Sequence, residues 1–311
     1  MATGPAQGQR PVIIVGTGRC GSTMLHRLLA FHDDLAWLST FNDVFPRAPW
    51  LSAFSRLYRA PLPERLKLAK AFPKPYETFR FWESYLPGFS RRESPQVPEE
   101  IDPEAIEPVR RATAKVLTYQ GRDRLLVKVT GWSRMAYFAR LYPDALFVVL
   151  QRDPRSVVSS WVKAGWLDVT SAPRSPTWQW GEVSGEHFAA WKDLGGDAVL
   201  STALKIRLDL DDIEDNAGEL PGRVHELTYE DLIRNPEPTL RQLCEFAGLP
   251  WTRTFEEAVR RREFFDSTST WRKHLDEDQG ERVLEFMRRT ERARPPASPV
   301  ADPGPRPARQ G

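Results

Sequence analysis

A cation stands inside a glycine-rich segment near the start of the chain. The apolar run at residues 12–15 is followed by Gly-Thr-Gly-Arg-Cys-Gly-Ser-Thr at residues 16–23, which is typical of a buried strand, a tight loop and a helix start. At such a turn, backbone N–H groups and the positive end of the helix dipole converge on an anion. The segment therefore predicts a site for a phosphate-like group, with the guanidinium of Arg19 beside it.

The loop departs from the sequence rule for nucleoside triphosphate sites. A Walker loop ends in Gly-Lys followed by Ser or Thr, and its Lys reaches the terminal phosphates. With Gly16 and Gly21 as the two loop glycines, Ser22 stands where that Lys would be and Thr23 follows it. We therefore expect a phosphate-like ligand without the usual triphosphate chemistry.

A second basic segment follows another apolar run, at residues 146–150. Arg152 comes at the end of this predicted strand, Asp153 can cap the next helix, and Pro154 suits its first turn. Ser160 lies farther along that helix. An arginine and a hydroxyl together can bind a second phosphate, although a helix cap flanked by surface arginines would give the same pattern.

The elements that must position these groups predict an α/β fold. Continuous apolar runs separated by helical stretches indicate a parallel sheet covered by helices on both faces, with strands at residues 12–15, 35–38, 125–129, 146–150 and 224–227. In such sheets, ligands bind at the carboxyl ends of the strands. The glycine-rich loop and the Arg152 segment both follow such ends, so they face the same edge of the sheet.

Length, charge and cysteine content narrow the class of protein. The chain has 311 residues, a formal net charge of +2 and two cysteines, so we expect neither a nucleic-acid partner nor a disulfide framework. The sequence has neither a signal-peptide pattern at its start nor an apolar membrane segment, and we expect a cytoplasmic protein. We assign residues 1–10 to a flexible N-terminus, 11–291 to one domain and 292–311 to a disordered Pro/Arg-rich tail.

Aromatic residues are dense in two regions. One is a helical insertion at about residues 41–124, which contains Phe45, Trp50, Phe54, Tyr58, Phe72, Tyr76, Phe79, Phe81, Trp82, Tyr85 and Phe89. The other contains Trp161, Trp166, Trp178, Trp180, Phe188 and Trp191. Core packing would explain any single ring, whereas the density of rings predicts an apolar wall or lid over a pocket.

Four motifs in order along residues 11–290 resemble the sulfotransferases that use 3′-phosphoadenosine 5′-phosphosulfate (PAPS). They are Gly-x-x-Arg-x-Gly-Ser-Thr from residue 16, Arg-Asp-Pro-Arg-x-x-x-x-Ser from residue 152, Leu-Thr-Tyr-Glu-Asp-Leu from residue 227 and Trp-Arg-Lys from residue 271. The similarity is greatest to bacterial members with Arg in the first loop. It implies a P-loop-like, three-layer fold with a central, mostly parallel sheet flanked by helices.

The resemblance implies a role for each matching position. Residues of the first loop would bind the 5′-phosphosulfate, and its arginine would stabilise charge as the sulfuryl group leaves; they are Gly18, Arg19, Cys20, Gly21, Ser22 and Thr23. Arg152 and Ser160 match residues that bind the 3′-phosphate, and Tyr229 matches a tyrosine near the adenine. A later loop that closes over the 3′-phosphate would supply Arg272 and Lys273.

The implied reaction is in-line attack of an acceptor hydroxyl or amine on the sulfur of PAPS, which leaves adenosine 3′,5′-bisphosphate. The protein would supply positioning and preorganised positive charge, and the scheme needs no metal. Ser22 in place of Lys then suits a donor without a γ-phosphate. The aromatic regions favour an apolar or ring-bearing small molecule, a lipid or a carbohydrate as the acceptor partner.

A general base must take the acceptor proton, and here the family pattern fails. Thr130 stands where many members have a His, and residues 39–40 stand where others have a Glu. Asp43 is the nearest carboxylate, and we predict it as the base. Glu83, beside Trp82, is the second candidate, and the histidines that remain open are His26, His32 and His187.

Two other functions fit parts of the pattern. A kinase or another NTP-dependent transferase would need Lys at position 22 and an acidic Mg²⁺ ligand after a strand. A non-catalytic phosphate-binding module would keep both loops and lack an acceptor site. A reactive thiolate at Cys20, beside a helix N-terminus, is a further alternative.

Overall fold

A parallel sheet organises the structure, a computed structural model that describes residues 10–166 and 172–292. Residues 1–9 of the predicted flexible N-terminus and residues 293–311 of the predicted tail lie outside the described residues. In the described ranges, no helix is both long enough and apolar enough to cross a membrane.

The main sheet has five strands in the described part of the chain. They are β1 (Val12–Val15), β2 (Leu35–Trp37), β3 (Arg124–Lys128), β4 (Leu146–Gln151) and β7 (Val224–Thr228). They lie in the order β2-β3-β1-β4-β7 and all run parallel. Each predicted apolar run is one of these strands, so the predicted α/β fold is confirmed. A short antiparallel pair lies apart, β5 (Thr177–Trp178) with β6 (Gly181–Glu182).

Helices connect and cover the strands. In chain order they are α1 (Ser22–Leu29), α2 (Thr40–Val44), α3 (Arg56–Arg59), α4 (Glu64–Lys67), α5 (Phe79–Tyr85), α6 (Pro103–Gln120), α7 (Met135–Leu141), α8 (Pro154–Ala164), α9 (Gly185–Asp193), α10 (Ala198–Gly218), α11 (Tyr229–Arg234), α12 (Pro236–Ala247), α13 (Arg253–Arg261) and α14 (Glu277–Arg289). Shorter 3₁₀ helices are Pro49–Ser55, Pro98–Glu100 and Thr270–Lys273.

The two faces of the sheet bury different helices, which gives three layers. Along β1, Val12 and Ile14 pack into a core with α1 and α11 to α13. Ile13 and Val15 point to the opposite face and pack into a core with α5 to α7. Because successive side chains of a strand alternate between faces, one short apolar run serves both cores. A third core joins α8, α9, α10 and α14 beside the sheet.

The carboxyl ends of β1 and β4 bring the two predicted segments together. These strands are neighbours, and the glycine-rich loop follows one while α8 follows the other. A Cβ on Gly16 would lie 2.6 Å from the carbonyl oxygen of Leu150, so only a glycine allows this close approach of the chains. In the strand order, β2 and β3 lie on one side of β1, whereas β4 and β7 lie on the other. Ligands bind at the point of a parallel sheet where the strand order reverses in this way.

Many aromatic residues of the insertion pack in the core. Trp82 meets Phe138 of α7 edge to face with ring centroids 5.1 Å apart, and Phe89 lies 5.8 Å from both rings. Phe81 is also fully buried here. Side chains of this size contribute much of the apolar area that a core removes from water. The density of rings in this region therefore reflects packing more than the predicted pocket wall.

Candidate active site

Two residues of the glycine-rich loop adopt the left-handed backbone conformation. Arg19 has φ 72° and Gly21 has φ 102°. A Cβ on Gly21 would lie 2.5 Å from Cδ2 of Tyr229, because the tyrosine ring packs directly against the loop. This position therefore requires glycine for its backbone angle and for its contact. Tyr229 lies beside the loop although 208 residues separate the two in sequence, and α1 begins immediately after Gly21.

Helix α8 holds the other side of the loop. The indole Nε1 of Trp161 donates a hydrogen bond to the carbonyl oxygen of Gly18 at 2.9 Å. A Cβ on Gly18 would approach Cζ2 of the same ring to 2.9 Å. The loop thus lies between the Tyr229 and Trp161 rings, and α1 presents its N-terminal N–H groups next to it.

The predicted cations and hydroxyl meet at this loop. The Arg19 Nε donates to Ser160 Oγ at 2.8 Å, and Arg152 Nη1 donates to the carbonyl oxygen of Arg19 at 3.2 Å. The Arg152 guanidinium also lies 4.2 Å from the centre of the Tyr229 ring. The structure therefore brings together four residues that the sequence placed in three separate motifs.

The later loop that was predicted to supply Arg272 and Lys273 contacts Arg152 and Tyr229 through a different residue, Ser267. Ser267 Oγ lies 2.8 Å from Arg152 Nη2 and 2.8 Å from Tyr229 Oη. Arg272 instead pairs with Glu277, with Nε and Oε1 2.7 Å apart, and Lys273 is exposed. Neither Arg272 nor Lys273 borders the cavities described below. The structure does not bring these two predicted residues to the site.

A cavity of about 340 Å³ lies in front of the loop. We call it the loop cavity, and its lining includes Arg19, Thr23, Lys128, Arg152, Ser160 and Tyr229. Among the described residues, four cationic and two acidic side chains border it, the remaining ones being Arg262, Glu77 and Glu263. In the described structure, the buried Nε of Arg152 has no hydrogen-bond partner. The excess of positive charge and this unpaired donor suit an anionic ligand.

Cys20 contributes little to the loop cavity. Its side chain is fully buried, and burial raises the pKa of the thiol. Its backbone N–H donates to the carbonyl oxygen of Thr17 at 3.4 Å. A buried thiol with a raised pKa is inert rather than nucleophilic, so the structure disfavours the reactive thiolate.

A second cavity of about 630 Å³ adjoins the first. We call it the tryptophan cavity, because the indoles of Trp132, Trp161, Trp166 and Trp180 border it. Gly18, Thr130 and Trp166 border both cavities, and the Arg19 guanidinium lies 5.2 Å from the centre of the Trp166 ring. Three rings of the second aromatic region, Trp161, Trp166 and Trp180, thus line a cavity, together with Trp132 from outside both predicted regions and Phe79 from the insertion.

Neither of the two predicted carboxylate bases borders a cavity. Asp43 accepts a hydrogen bond from the backbone N–H of Arg80 at 3.0 Å. Glu83 accepts two, from the N–H groups of Gly88 at 2.8 Å and Ser90 at 2.7 Å. Burial raises the pKa of the Asp43 carboxyl; at Glu83 burial acts the same way, but these amide bonds leave its pKa lowered. Both carboxylates therefore serve to accept hydrogen bonds from backbone N–H groups.

The candidate histidines are also structural groups. His26 is buried, and burial holds its pKa well below the usual range. His32 contacts the carbonyl oxygen of Pro250 through Nε2 at 2.8 Å. His187 lies 3.6 Å from Asp211, with burial lowering its pKa. None of the three borders either cavity.

Sequence reasoning missed a pair of charged residues at the loop cavity. Lys128, at the end of β3, donates to Thr23 Oγ1 at 3.2 Å and pairs with Glu77 Oε2 at 2.8 Å. A Lys that ends a central strand was a usable signal, because this edge of the sheet binds ligands. Glu77 lies in the insertion, where no motif or spacing marks it.

Comparison with known proteins is consistent with this site. A model of the sulfotransferase family matches residues 11–253. The chain is 26% identical over 270 residues to proteins of Mycobacterium bovis and Mycobacterium tuberculosis named omega-hydroxy-beta-dihydromenaquinone-9 sulfotransferase Stf3. That match covers 77% of this chain and 63% of the relative, so the chain spans less than two thirds of the relative's length.

Two solved structures share the fold. Sulfotransferase STF9 from Mycobacterium avium aligns with a TM-score of 0.54 at 17% identity, over 90% of this chain and 74% of that one. Sulfotransferase STF1 from Mycobacterium tuberculosis H37Rv aligns with a TM-score of 0.53 at 16% identity, over 90% and 76%. With a family model that matches most of its length, this chain belongs to the sulfotransferase family.

Proposed function

We propose that this protein transfers a sulfuryl group from PAPS to a hydroxyl or amine of an apolar or ring-bearing acceptor. One observation carries the proposal: a cationic cavity and a tryptophan-lined cavity share the borders Gly18, Thr130 and Trp166. An anionic donor in the first and an apolar acceptor in the second would meet at this shared border. Membership of the sulfotransferase family supports this assignment.

The loop cavity would hold the donor by its two anionic ends. Arg19 and the N–H groups at the start of α1 would bind the 5′-phosphosulfate, and Arg152 with Ser160 would bind the 3′-phosphate. The hydrogen bond between Arg19 and Ser160 supports this division, because it sets the two subsites side by side. The packing of Tyr229 against the loop supports a place for its aromatic ring beside the adenine of the bound donor.

The chemical step needs charge stabilisation more than covalent help from the protein. As the acceptor oxygen bonds to sulfur, the bond from sulfur to the 5′-phosphate oxygen breaks, and negative charge gathers on that oxygen. Arg19 lies in the loop that would hold this group, held by Ser160 and by the Trp166 ring. A preorganised cation there lowers the barrier without reorganising during the reaction.

The tryptophan cavity supports an acceptor with rings or an extended apolar body. Its four indoles offer flat apolar faces, and the mycobacterial relative is named for a hydroxylated menaquinone acceptor. Among the described residues, the charged side chains on its border are the cations Arg91, Arg92, Arg134 and Lys205, of which Arg91 pairs with Glu100 and Lys205 with Asp209. We therefore propose that acceptors carrying an anionic group in addition to the ring bind better than neutral ones.

Binding and turnover measurements test the proposed function. Calorimetry should detect adenosine 3′,5′-bisphosphate and give no comparable signal with ATP. Radiolabelled PAPS should then label ring-bearing alcohols and phenols, with carboxylated members preferred over neutral ones of the same skeleton. Tight binding of ATP alone would favour a kinase, and bisphosphate binding without transfer to any acceptor would favour a non-catalytic module.

A further inference from the structure

Glu77 lies in the wall of the loop cavity, next to the border that this cavity shares with the tryptophan cavity. It borders the loop cavity, and it hydrogen-bonds to Thr130, which borders both cavities. The side chain is 18% exposed, so it is held in the wall and still open to the cavity. In a donor and acceptor complex, this border is where the reacting atoms would meet.

Hydrogen bonds fix the carboxylate in a defined orientation. Its Oε1 accepts from the backbone N–H of Thr130 at 2.5 Å and from Thr130 Oγ1 at 2.9 Å. Its Oε2 lies 2.8 Å from Lys128 Nζ. Each carboxylate oxygen has about two lone-pair directions, so Oε1 is filled by Thr130 while Oε2 keeps one direction for another donor.

Few other side chains at the site could take a proton. Within the described ranges, the carboxylates that border the two cavities are Glu77 and Glu263, and no histidine borders either. Both border the loop cavity, but Glu263 is exposed, whereas Glu77 is hydrogen-bonded to Thr130, which borders both cavities. A general base must lie within hydrogen-bond reach of the proton it removes. Of the two carboxylates, Glu77 is therefore the one next to the border between the donor cavity and the acceptor cavity.

We propose that Glu77 is the general base of sulfuryl transfer, an inference that rests on the proposed function. Oε2 of Glu77 takes the proton of the acceptor hydroxyl while the acceptor oxygen forms its bond to sulfur. The bond from sulfur to the 5′-phosphate oxygen breaks, and its electron pair leaves on adenosine 3′,5′-bisphosphate. Glu77, now a neutral carboxylic acid, returns its proton to water before the next turnover.

The pairing with Lys128 gives the proton transfer a second effect. Once Glu77 is neutral, the Lys128 ammonium loses its counter-charge. The same ammonium already donates to Thr23 of the loop at 3.2 Å, on the side where negative charge develops. Removal of the acceptor proton therefore strengthens the positive field on the leaving group in the same step.

The substitution Glu77→Gln tests this role. Glutamine keeps an oxygen that can accept from Thr130, but it cannot take a proton. We expect kcat to fall about 100- to 10,000-fold with an alkyl alcohol acceptor, while affinity for adenosine 3′,5′-bisphosphate by calorimetry changes only a few-fold. The matched control is Asp43→Asn, which retains the acceptor for the Arg80 N–H and should keep its activity.

Acceptor acidity separates a base from a positioning residue. A nitrophenol ionises without help, so its turnover by Glu77→Gln should fall far less than that of an alkyl alcohol of similar size. An equal loss with both acceptors, or activity within about threefold of the parent protein, would overturn the assignment. If the parent protein itself transfers no label, the proposed function fails, and that result differs from a loss confined to the variant.

Discussion

The loop cavity and the tryptophan cavity adjoin, yet they are built in different ways. The first depends on backbone geometry at Gly18 and Gly21 and on cations from separate motifs. The second depends on the faces of four indoles that helices and loops bring together. Backbone geometry restricts which residue fits a position, whereas an apolar wall accepts several ring types. Substitutions should therefore damage the loop cavity more sharply and the tryptophan cavity more selectively.

Among the substitutions that test the difference between the two cavities, the largest effect should come from Arg19→Ala. Loss of the guanidinium removes charge stabilisation at the leaving group, so kcat/KM should fall about 100- to 1,000-fold in an assay with labelled PAPS. Affinity for the bisphosphate product should fall much less, because that ligand lacks the transferred group. Arg272→Ala is the control, since its side chain pairs with Glu277 away from the cavity. Equal losses of kcat/KM in both variants would contradict the proposed role of Arg19 at the leaving group.

Gly21→Ala should have the next largest effect, on donor binding. The new methyl group would lie 2.5 Å from the Tyr229 ring, so loop and tyrosine must separate. We expect bisphosphate affinity by calorimetry to fall at least about tenfold. Separately, an alanine in the left-handed conformation should lower the free energy of unfolding by roughly 1–2 kcal/mol.

Gly88→Ala separates these two contributions. Gly88 also has a left-handed backbone, with φ 85°, but nothing lies within 4 Å of a Cβ there. This control should show a similar loss in the free energy of unfolding and unchanged bisphosphate affinity. If Gly88→Ala weakens the bisphosphate as much as Gly21→Ala does, contact with Tyr229 is not the cause.

Trp180→Ala should be more selective. Trp180 borders the tryptophan cavity and not the loop cavity, and its buried Nε1 has no partner in the described residues. We expect KM for a ring-bearing acceptor to rise roughly tenfold through lost apolar contact, with bisphosphate affinity unchanged. Trp50→Ala, on the exposed surface of the insertion, should change neither quantity. A fall in donor affinity instead would remove the distinction between the cavities.

The smallest effect concerns the helix behind the loop. His26 on α1 is buried with its pKa well below 6.5, so the unfolded chain binds its proton more readily than the folded one. Stability therefore falls as pH drops below about 6.5, by at most about 1.4 kcal/mol per pH unit for one such group. Urea unfolding between pH 7.5 and 5.5 should show a shallower pH dependence for His26→Gln. An unchanged slope would contradict a buried neutral His26.

The fold was largely predictable because burial on both faces leaves continuous apolar runs. Val12–Val15 was predicted with its observed bounds, and β3 begins at Arg124, one residue before the predicted run. The order of strands was not predictable, since any crossover can follow a given run. The prediction of a pocket wall from the aromatic residues of the insertion was less successful for a related reason. Phe81 and Trp82 bury their rings as Trp161 does, but of these three only Trp161 also borders a cavity.

Prediction of the site depended on whether a residue follows a strand or lies in the long insertion. The motifs identified Arg19, Arg152, Ser160 and Tyr229, because each lies at a fixed offset from a strand end, and the structure brings these four together. Glu77 lies within a long insertion and reaches Thr130 through tertiary packing alone. Distance along the chain therefore suggested Asp43, whereas the fold brings a different carboxylate, Glu77, to the loop cavity.

The indole of Trp161 connects the tryptophan cavity to the glycine-rich loop, and this has a thermodynamic consequence. Trp161 borders the tryptophan cavity with its ring and holds the Gly18 carbonyl through Nε1 at 2.9 Å. Any acceptor that shifts this ring must alter the loop, and with it the affinity for donor. Because coupling free energies are reciprocal, the donor then changes acceptor affinity by the same factor. With the proposed donor and acceptor bound, Trp161 would link the occupancy of one cavity to that of the other.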